Sequence, residues 1–259
     1  DDGIVAGTRM PDIVANLKYA GVWGGAQLSG AVHQIRDVGW QFNGDPDFVP
    51  NPFLPAIADT DYGFAVGLSA YVNLPMLGAG DNAWVFATYT DGAAAYINGG
   101  QDAPIYTASI SANPLSLAVA DGFINTFKGD IKTTKAWSIA AGVTHYWTPQ
   151  WRSSLFGSYA QFDAPGIAST FDLVTGTRSG LVDFNEYRIG VNTFWLPVAG
   201  LQIGLEGLYT RVDPDGRVPL AVRNALGQQV FDPVTEAPLF GSTSGEDIWE
   251  ARLRIQRDF

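Results

Sequence analysis

Glu246-Asp247-Ile248-Trp249-Glu250-Ala251-Arg252-Leu253-Arg254-Ile255-Gln256-Arg257-Asp258-Phe259 closes the chain, and its alternation decides the fold. Trp249, Ala251, Leu253, Ile255 and the final Phe259 form one alternate set. Glu250, Arg252, Arg254 and Gln256 form the other. A β-strand sends successive side chains to opposite faces, so this strand has one apolar face and one strongly charged face. A barrel strand in a bacterial outer membrane needs both, with hydrocarbon on the outside and a polar lumen within.

The same rhythm runs back through the chain. In residues 12–20, Ile13, Ala15, Leu17 and Tyr19 alternate with Asn16 and Lys18. After the short link 21–24, Ala26, Leu28, Gly30 and Val32 oppose Gln27, Ser29 and His33 in residues 25–34. A long polar loop, 35–61, follows. Residues 62–74 and 83–90 make the next pair, the second of them ambiguous in phase. Residues 136–147 and 151–162 are joined by Thr148-Pro149-Gln150, and residues 185–195 and 201–212 by 196–200. Loops 91–135 and 213–245 are long, and a further short hairpin is expected around 106–119. Short links at one end, long loops at the other, and strands of about 9–12 residues suit a tilted crossing of a ~30 Å hydrocarbon layer.

Aromatic residues gather at the strand ends: Tyr19, Trp23, Trp137, Tyr146, Trp147, Trp151, Tyr187, Trp195, Tyr209 and Trp249. Their amphipathic rings favour the water–lipid boundary. In a soluble sandwich they would instead be core. The strand count is nine, so the first and last strands run the same way and would close only through a parallel seam. Bacterial single-chain barrels are antiparallel and even-numbered. The expectation is therefore a single β-barrel domain over residues 1–259 that is the C-terminal part of a longer barrel, unless a strand near residues 4–9 makes the number even.

Composition narrows the function. Charged residues are 16%, below the ~25% usual for a soluble domain, and the net charge is −11. That acidity argues against nucleic acid as a partner. With no cysteine, disulfides, thiolate metal sites and cysteine nucleophiles are excluded. No apolar run is long enough for a transmembrane helix. No cofactor and no metal site is expected. Asp45-Pro46-Asp47, Asp59-Thr60-Asp61 and Asp213-Pro214-Asp215-Gly216 read as solvated turns.

Several runs carry a resemblance. His145-Tyr146-Trp147-Thr148-Pro149-Gln150-Trp151-Arg152-Ser153-Ser154, Tyr187-Arg188-Ile189-Gly190-Val191-Asn192-Thr193, residues 204–212 and the ending Leu253-Arg254-Ile255-Gln256-Arg257-Asp258-Phe259 resemble the alphaproteobacterial, rhizobial-type outer-membrane porin family. The resemblance is strongest over residues 136–259. It implies a sixteen-stranded general-diffusion porin, a homotrimer in lipid and lipopolysaccharide of the bacterial cell outer membrane. It further implies assembly through a barrel-assembly machinery that reads Phe259, and a constriction loop folded into the pore from the N-terminal half.

If the apolar phase meets lipid, the lumen receives Lys18, Arg152, Glu186, Arg188, Glu206, Glu250, Arg252 and Arg254. Such charges on the lipid side would cost about 2–4 kcal/mol each at midplane. Arg188, Arg252 and Arg254 lie mid-strand as a basic wall facing an acidic inward loop, or as partners of Glu206 and Glu250. His33 shares the lumen phase near the outer mouth. His145 shares the phase of Val143 and Trp147, at the interface. The reading is a non-enzymatic, water-filled channel for passive movement of small hydrophilic solutes and ions. An outer-membrane lipase or protease with His33 as base, and a soluble β adhesion module, are the alternatives.

Overall fold

The computed structural model describes residues 4–5, 9–39, 57–98, 117, 119–125, 129–166, 169–173, 177–180, 182–222, 224, 228, 230–234 and 239–258. Its framework is one antiparallel sheet of ten strands. In chain order these are β1 (Ile4–Val5), β2 (Ile13–Gly21), β3 (Gly24–Gly39), β4 (Ile57–Asn73), β5 (Asn82–Asp91), β8 (Lys135–Thr148), β9 (Trp151–Asp163), β12 (Phe184–Val198), β13 (Leu201–Pro214) and β16 (Glu246–Arg257). From β2 onward each strand pairs with the next, as a meander, and β1 pairs with β3. The small elements between them are α1 (Ala95–Asn98) and three hairpins: β6 (Gly122–Asn125) with β7 (Asp130–Thr133), β10 (Ser169–Asp172) with β11 (Thr177–Gly180), and β14 (Val218–Ala221) with β15 (Phe240–Thr243).

The ten strands occupy nine rows. Strand β1 pairs Ile4 with Val38 and Val5 with Asp37, while β2 pairs Ile13 with Val32 through to Gly21 with Gly24. Both lie on the same side of β3, end to end. The residues near position 4 therefore extend the first row and do not supply the tenth row that an even count needed. Within the described residues β2 and β16 have no strand on their outer sides.

The sequence reading placed strand limits too tightly. Strands β3 and β4 continue together to the pairs Asp37–Asp59 and Gly39–Ile57, so both ends of the expected loop 35–61 are paired sheet. Asp59-Thr60-Asp61 is strand and not a turn, and the Asp59 carboxylate accepts the Ile131 N–H at 3.3 Å. Asp213 and Pro214 likewise finish β13, where Asp213 pairs with Arg211 at 2.8 Å. Asp45-Pro46-Asp47 and most of the hairpin expected at 106–119 fall outside the described residues. Among the described residues of that loop, β6 and β7 form a hairpin further along the chain.

Register fixes the two faces. Leu17, Leu28, Leu68, Ala87, Ile139, Tyr159, Tyr187 and Arg211 lie in one cross-strand row, each paired with the next. Rows below it carry Leu155 with Val191, then Leu205 with Leu253. Apart from the Arg211–Asp247 pair at its loop edge, this face is mostly apolar and uncovered: Leu17 is 75% exposed, Leu205 62%, Leu253 69% and Ile255 68%. In water such a surface would be a large aggregation liability. Against lipid it is the favourable outer wall of a transmembrane antiparallel β-barrel.

Two aromatic belts bound that face. At the long-loop end Trp137 packs on Tyr159 (4.9 Å between ring centres), Tyr159 on Tyr187 (5.0 Å) and Tyr209 on Trp249 (4.7 Å). At the short-turn end Tyr19 stacks on Trp23 (5.9 Å) and Trp151 on Trp195 (6.0 Å). The Trp147 ring meets His145 edge-on at 4.5 Å. From Trp151 to Tyr159 is eight steps of about 3.4 Å, or about 21 Å of height at a tilt of ~40°, close to the ~25 Å apolar band of such barrels. Tyr146 does not belong to either belt. It pairs with Arg152, on the opposite face, and its ring lies against Gly80 in the short turn, where φ is +97°.

Candidate functional site

All eight charged residues singled out from the sequence fall on the other face of the sheet. Three cross-strand rows contain most of them. Ser154, Asn192, Glu206 and Arg252 form one. Arg152, Phe194, Gly204 and Arg254 form the next toward the short turns. Ser158, Arg188, Thr210 and Ile248 form one nearer the loops. Glu186 sits one row beyond Arg188, Glu250 pairs with Leu208, and Lys18 pairs with Gln27 on the far side of the sheet. The arginines of β9, β12 and β16 and the glutamates of β12, β13 and β16 thus share one wall, and Lys18 stands apart from them.

Most of these charges have partners. Arg252 Nη1 lies 3.7 Å from Glu206 Oε1. Arg188 pairs with Glu186, two residues along its own strand, rather than with Glu206 or Glu250. The Glu186 side chain is 9% exposed and that of Arg188 41%, so the pair presents its cationic half to solvent. Arg254 donates to Gln256. Arg152 donates to the Gln202 side chain at 3.0 Å, and its guanidinium stands 4.9 Å over the Phe194 ring, a cation–π contact.

Glycines on this wall are filled in by neighbouring rings. A Cβ on Gly190 would meet the Phe156 ring at 2.4 Å, one on Gly204 the Phe194 ring at 2.2 Å, and one on Gly142 the Trp84 ring at 2.7 Å. Each ring takes up the space that a side chain on the glycine would need, as aromatic side chains do when they cover a strand glycine. Tyr71, Trp84 and Phe86 also face this way and remain 41%, 36% and 42% exposed. The sequence reading left residues 83–90 without a phase for that reason: β5 is apolar on both faces, with Val85, Ala87 and Tyr89 outward and Trp84 and Phe86 inward.

The long loops pack over this face at their own end. Wall residues Ala136, Phe162, Phe184, Val212 and Ile248 form one buried cluster with loop residues Ala94, Leu117, Val119, Val182 and Val218, and Ile97 packs against it. Phe162 and Phe184 stack at 4.7 Å. The segment after β5 is fastened across the sheet by polar contacts. Tyr96 donates to Asp12 Oδ2 at 2.6 Å, and Ala95 N–H donates to Asp121 Oδ1 at 3.0 Å. His33 bridges the two acids, Nδ1 at 2.8 Å from Asp12 and Nε2 at 3.2 Å from Asp121. Burial pushes the Asp12 carboxyl up, but its hydrogen bonds with Tyr96 and His33 outweigh that and hold it below the usual carboxylate range. Burial, then the bond to Asp12, pushes the Tyr96 hydroxyl up to about 12, so it stays a donor at neutral pH. The inward loop that the resemblance implies has no location in the sequence reading. Its one signal was an apolar set, Ala93, Ala94, Ile97, Leu117 and Val119, inside a stretch otherwise read as polar loop.

At the opposite end, His145 Nδ1 lies 2.5 Å from Asp81 Oδ2, and the Tyr146 N–H donates to Asp81 Oδ1 at 2.8 Å. Those bonds, the Tyr146 N–H foremost, hold the Asp81 carboxyl below its usual range. His145 keeps the interfacial position its phase predicted. Among the described residues no group of three or more His, Asp or Glu is arranged to hold a metal.

An apolar membrane face, two aromatic belts, a charged inner wall and loops turned onto that wall define the outer-membrane β-barrel channels. A family model described as the porin subfamily matches residues 2–231, and the chain belongs to that family. No curated protein compared with it matches. Among solved structures it is similar to a Pseudomonas aeruginosa FadL homologue, at 13% identity over 96% of this chain and 67% of that one. The TM-score is 0.31, at which the likeness decides nothing.

Proposed function

We propose that the protein is a general-diffusion porin: a homotrimeric, water-filled channel through which small hydrophilic solutes and ions pass passively, filtered by size and charge. The observation that carries this reading is the inner wall, where Arg152, Arg188, Arg252 and Arg254 are gathered on one stretch of sheet. Rings and walls of charge set ion preference through local potential. Family membership supports the channel, and the rhizobial-type resemblance supports the trimer and its setting in lipid and lipopolysaccharide. Phe259, the proposed signal to the assembly machinery, lies outside the described residues. Because β2 and β16 run the same way, antiparallel closure needs an odd number of further strands, and the sixteen-stranded family plan supplies seven.

Substituting both Arg252 and Arg254 by Ala in the full-length protein should raise the cation-to-anion permeability ratio about two- to fivefold, the effect of about 0.4–1 kcal/mol in local potential. Reversal potentials in planar bilayers under a salt gradient measure it. An unchanged potential would remove these residues from the ion path, and a protein carrying no current at all would refute the channel.

The enzyme reading is disfavoured by His33. Both of its ring nitrogens face carboxylates, so neither is directed at a hydroxyl nucleophile.

A further inference from the structure

One recess in the inner wall is built differently from its surroundings. It has a volume of about 250 Å³ and lies between Ile97 of α1 and the sheet. Its floor is small and partly polar, with Ser138, Ala140, Ser158 and Ala160. Phe86 stands at one side, and Arg188 with Glu186 at the other. Phe86 is 42% exposed although it lies on the face that carries the charges. An uncovered ring on a wet wall has apolar area left to bury. Arg188 is the more exposed half of its ion pair, so the charge offered to a guest is positive. The space holds about eight waters at ~30 Å³ each, or one six-membered ring with a carboxylate.

We propose that this recess binds small aromatic carboxylates, with the ring against Phe86 and Ile97 and the carboxylate on Arg188. The inference rests on the channel reading and deepens it, since a solute that pauses here pauses inside the proposed pore. Phe86 supplies a ring face for offset stacking. Arg188 supplies a forked donor for a carboxylate. The Ser138 and Ser158 hydroxyls can serve the oxygens of a ring substituent. An anion lacking the ring gains only the Arg188 contact, and a ring lacking the charge gains only the apolar one.

The test uses the full-length protein in planar bilayers, with each variant normalised to its own open current. Benzoate should reduce the current reversibly and saturably. Acetate and benzyl alcohol at the same concentrations should do so far less. Phe86→Ser should raise the half-blocking concentration about fivefold, and Arg188→Gln by as much or more. Ala160→Phe, which fills the recess, should abolish the block, and heat-modifiable gel migration shows whether each variant has assembled. Equal block by benzoate and acetate, or no shift in assembled Phe86→Ser and Ala160→Phe, overturns the site. If the wild type carries no salt current, the channel reading fails by itself. Calorimetry of benzoate on the detergent-solubilised protein then decides the recess: saturable binding lost in Ala160→Phe upholds it, and its absence overturns it.

Discussion

Leu253→Arg should block assembly of the barrel, with a loss of about 2–4 kcal/mol, the cost of arginine at the midplane of a lipid-facing strand. Leu253 lies between the Trp249 belt and the short-turn end, is 69% exposed on the apolar face, and stands opposite Leu205. Its neighbours in that face are Ala251 and Ile255, so a guanidinium there has no partner within the sheet. Arg254→Leu is the matched control. It removes a charge one residue away on the opposite face and should change stability by less than about 1 kcal/mol. Urea unfolding in lipid vesicles, followed by heat-modifiable migration, measures both. Equal effects of the two substitutions would mean that the faces are not what the register makes them.

Phe184→Ala should cost about 3–5 kcal/mol, the range for deleting a buried phenyl ring. Phe184 is 2% exposed, stacks on Phe162, and belongs to the cluster through which the loops touch the inner wall. The loss should fall first on the loops. The wall strands keep their ladders, whereas Leu117, Val119, Val182 and Val218 lose part of what they pack on. Amide exchange in the described parts of the 92–134 segment should accelerate about a hundredfold or more, since each 1.4 kcal/mol is a factor of ten. Phe184→Leu, which refills most of the space, should recover most of the protection. Exchange unchanged in Phe184→Ala would show that the cluster does not hold the loops.

The outer face was legible in the sequence because period-two patterning needs only one strand at a time to be read. Leu253 and Ile255 announce lipid on one side as clearly alone as they do beside Leu205 and Ile203. The candidate wall residues were legible by the same route, as the opposite phase. What could not be read were the properties that arise between strands. Arg188 takes Glu186 and not Glu206 because the ion pair is set by side-chain reach along β12, which patterning does not contain. Strand β5 gave no phase because Trp84 and Phe86 face inward toward the glycine-lined wall, and only register shows Gly142 beside Trp84. Strands β3 and β4 were cut short since Asp37, Asp59 and Asp61 look like turn residues, yet they extend a paired hairpin beyond the apolar band. The inward loop was missed because its apolar residues are spaced for tertiary contact and follow no local period.

The central claim is that alternate residues of β16 meet hydrocarbon and water. The chain has no cysteine, so single cysteines introduced from position 249 to 255 can be read without background. With the protein in membranes, a charged, water-soluble thiol reagent should label Glu250→Cys, Arg252→Cys and Arg254→Cys at least about tenfold faster than Ala251→Cys, Leu253→Cys and Ile255→Cys, since thiolate formation and reagent access both fail in lipid. Uniform labelling along the strand, or faster labelling at 251, 253 and 255, would contradict the account.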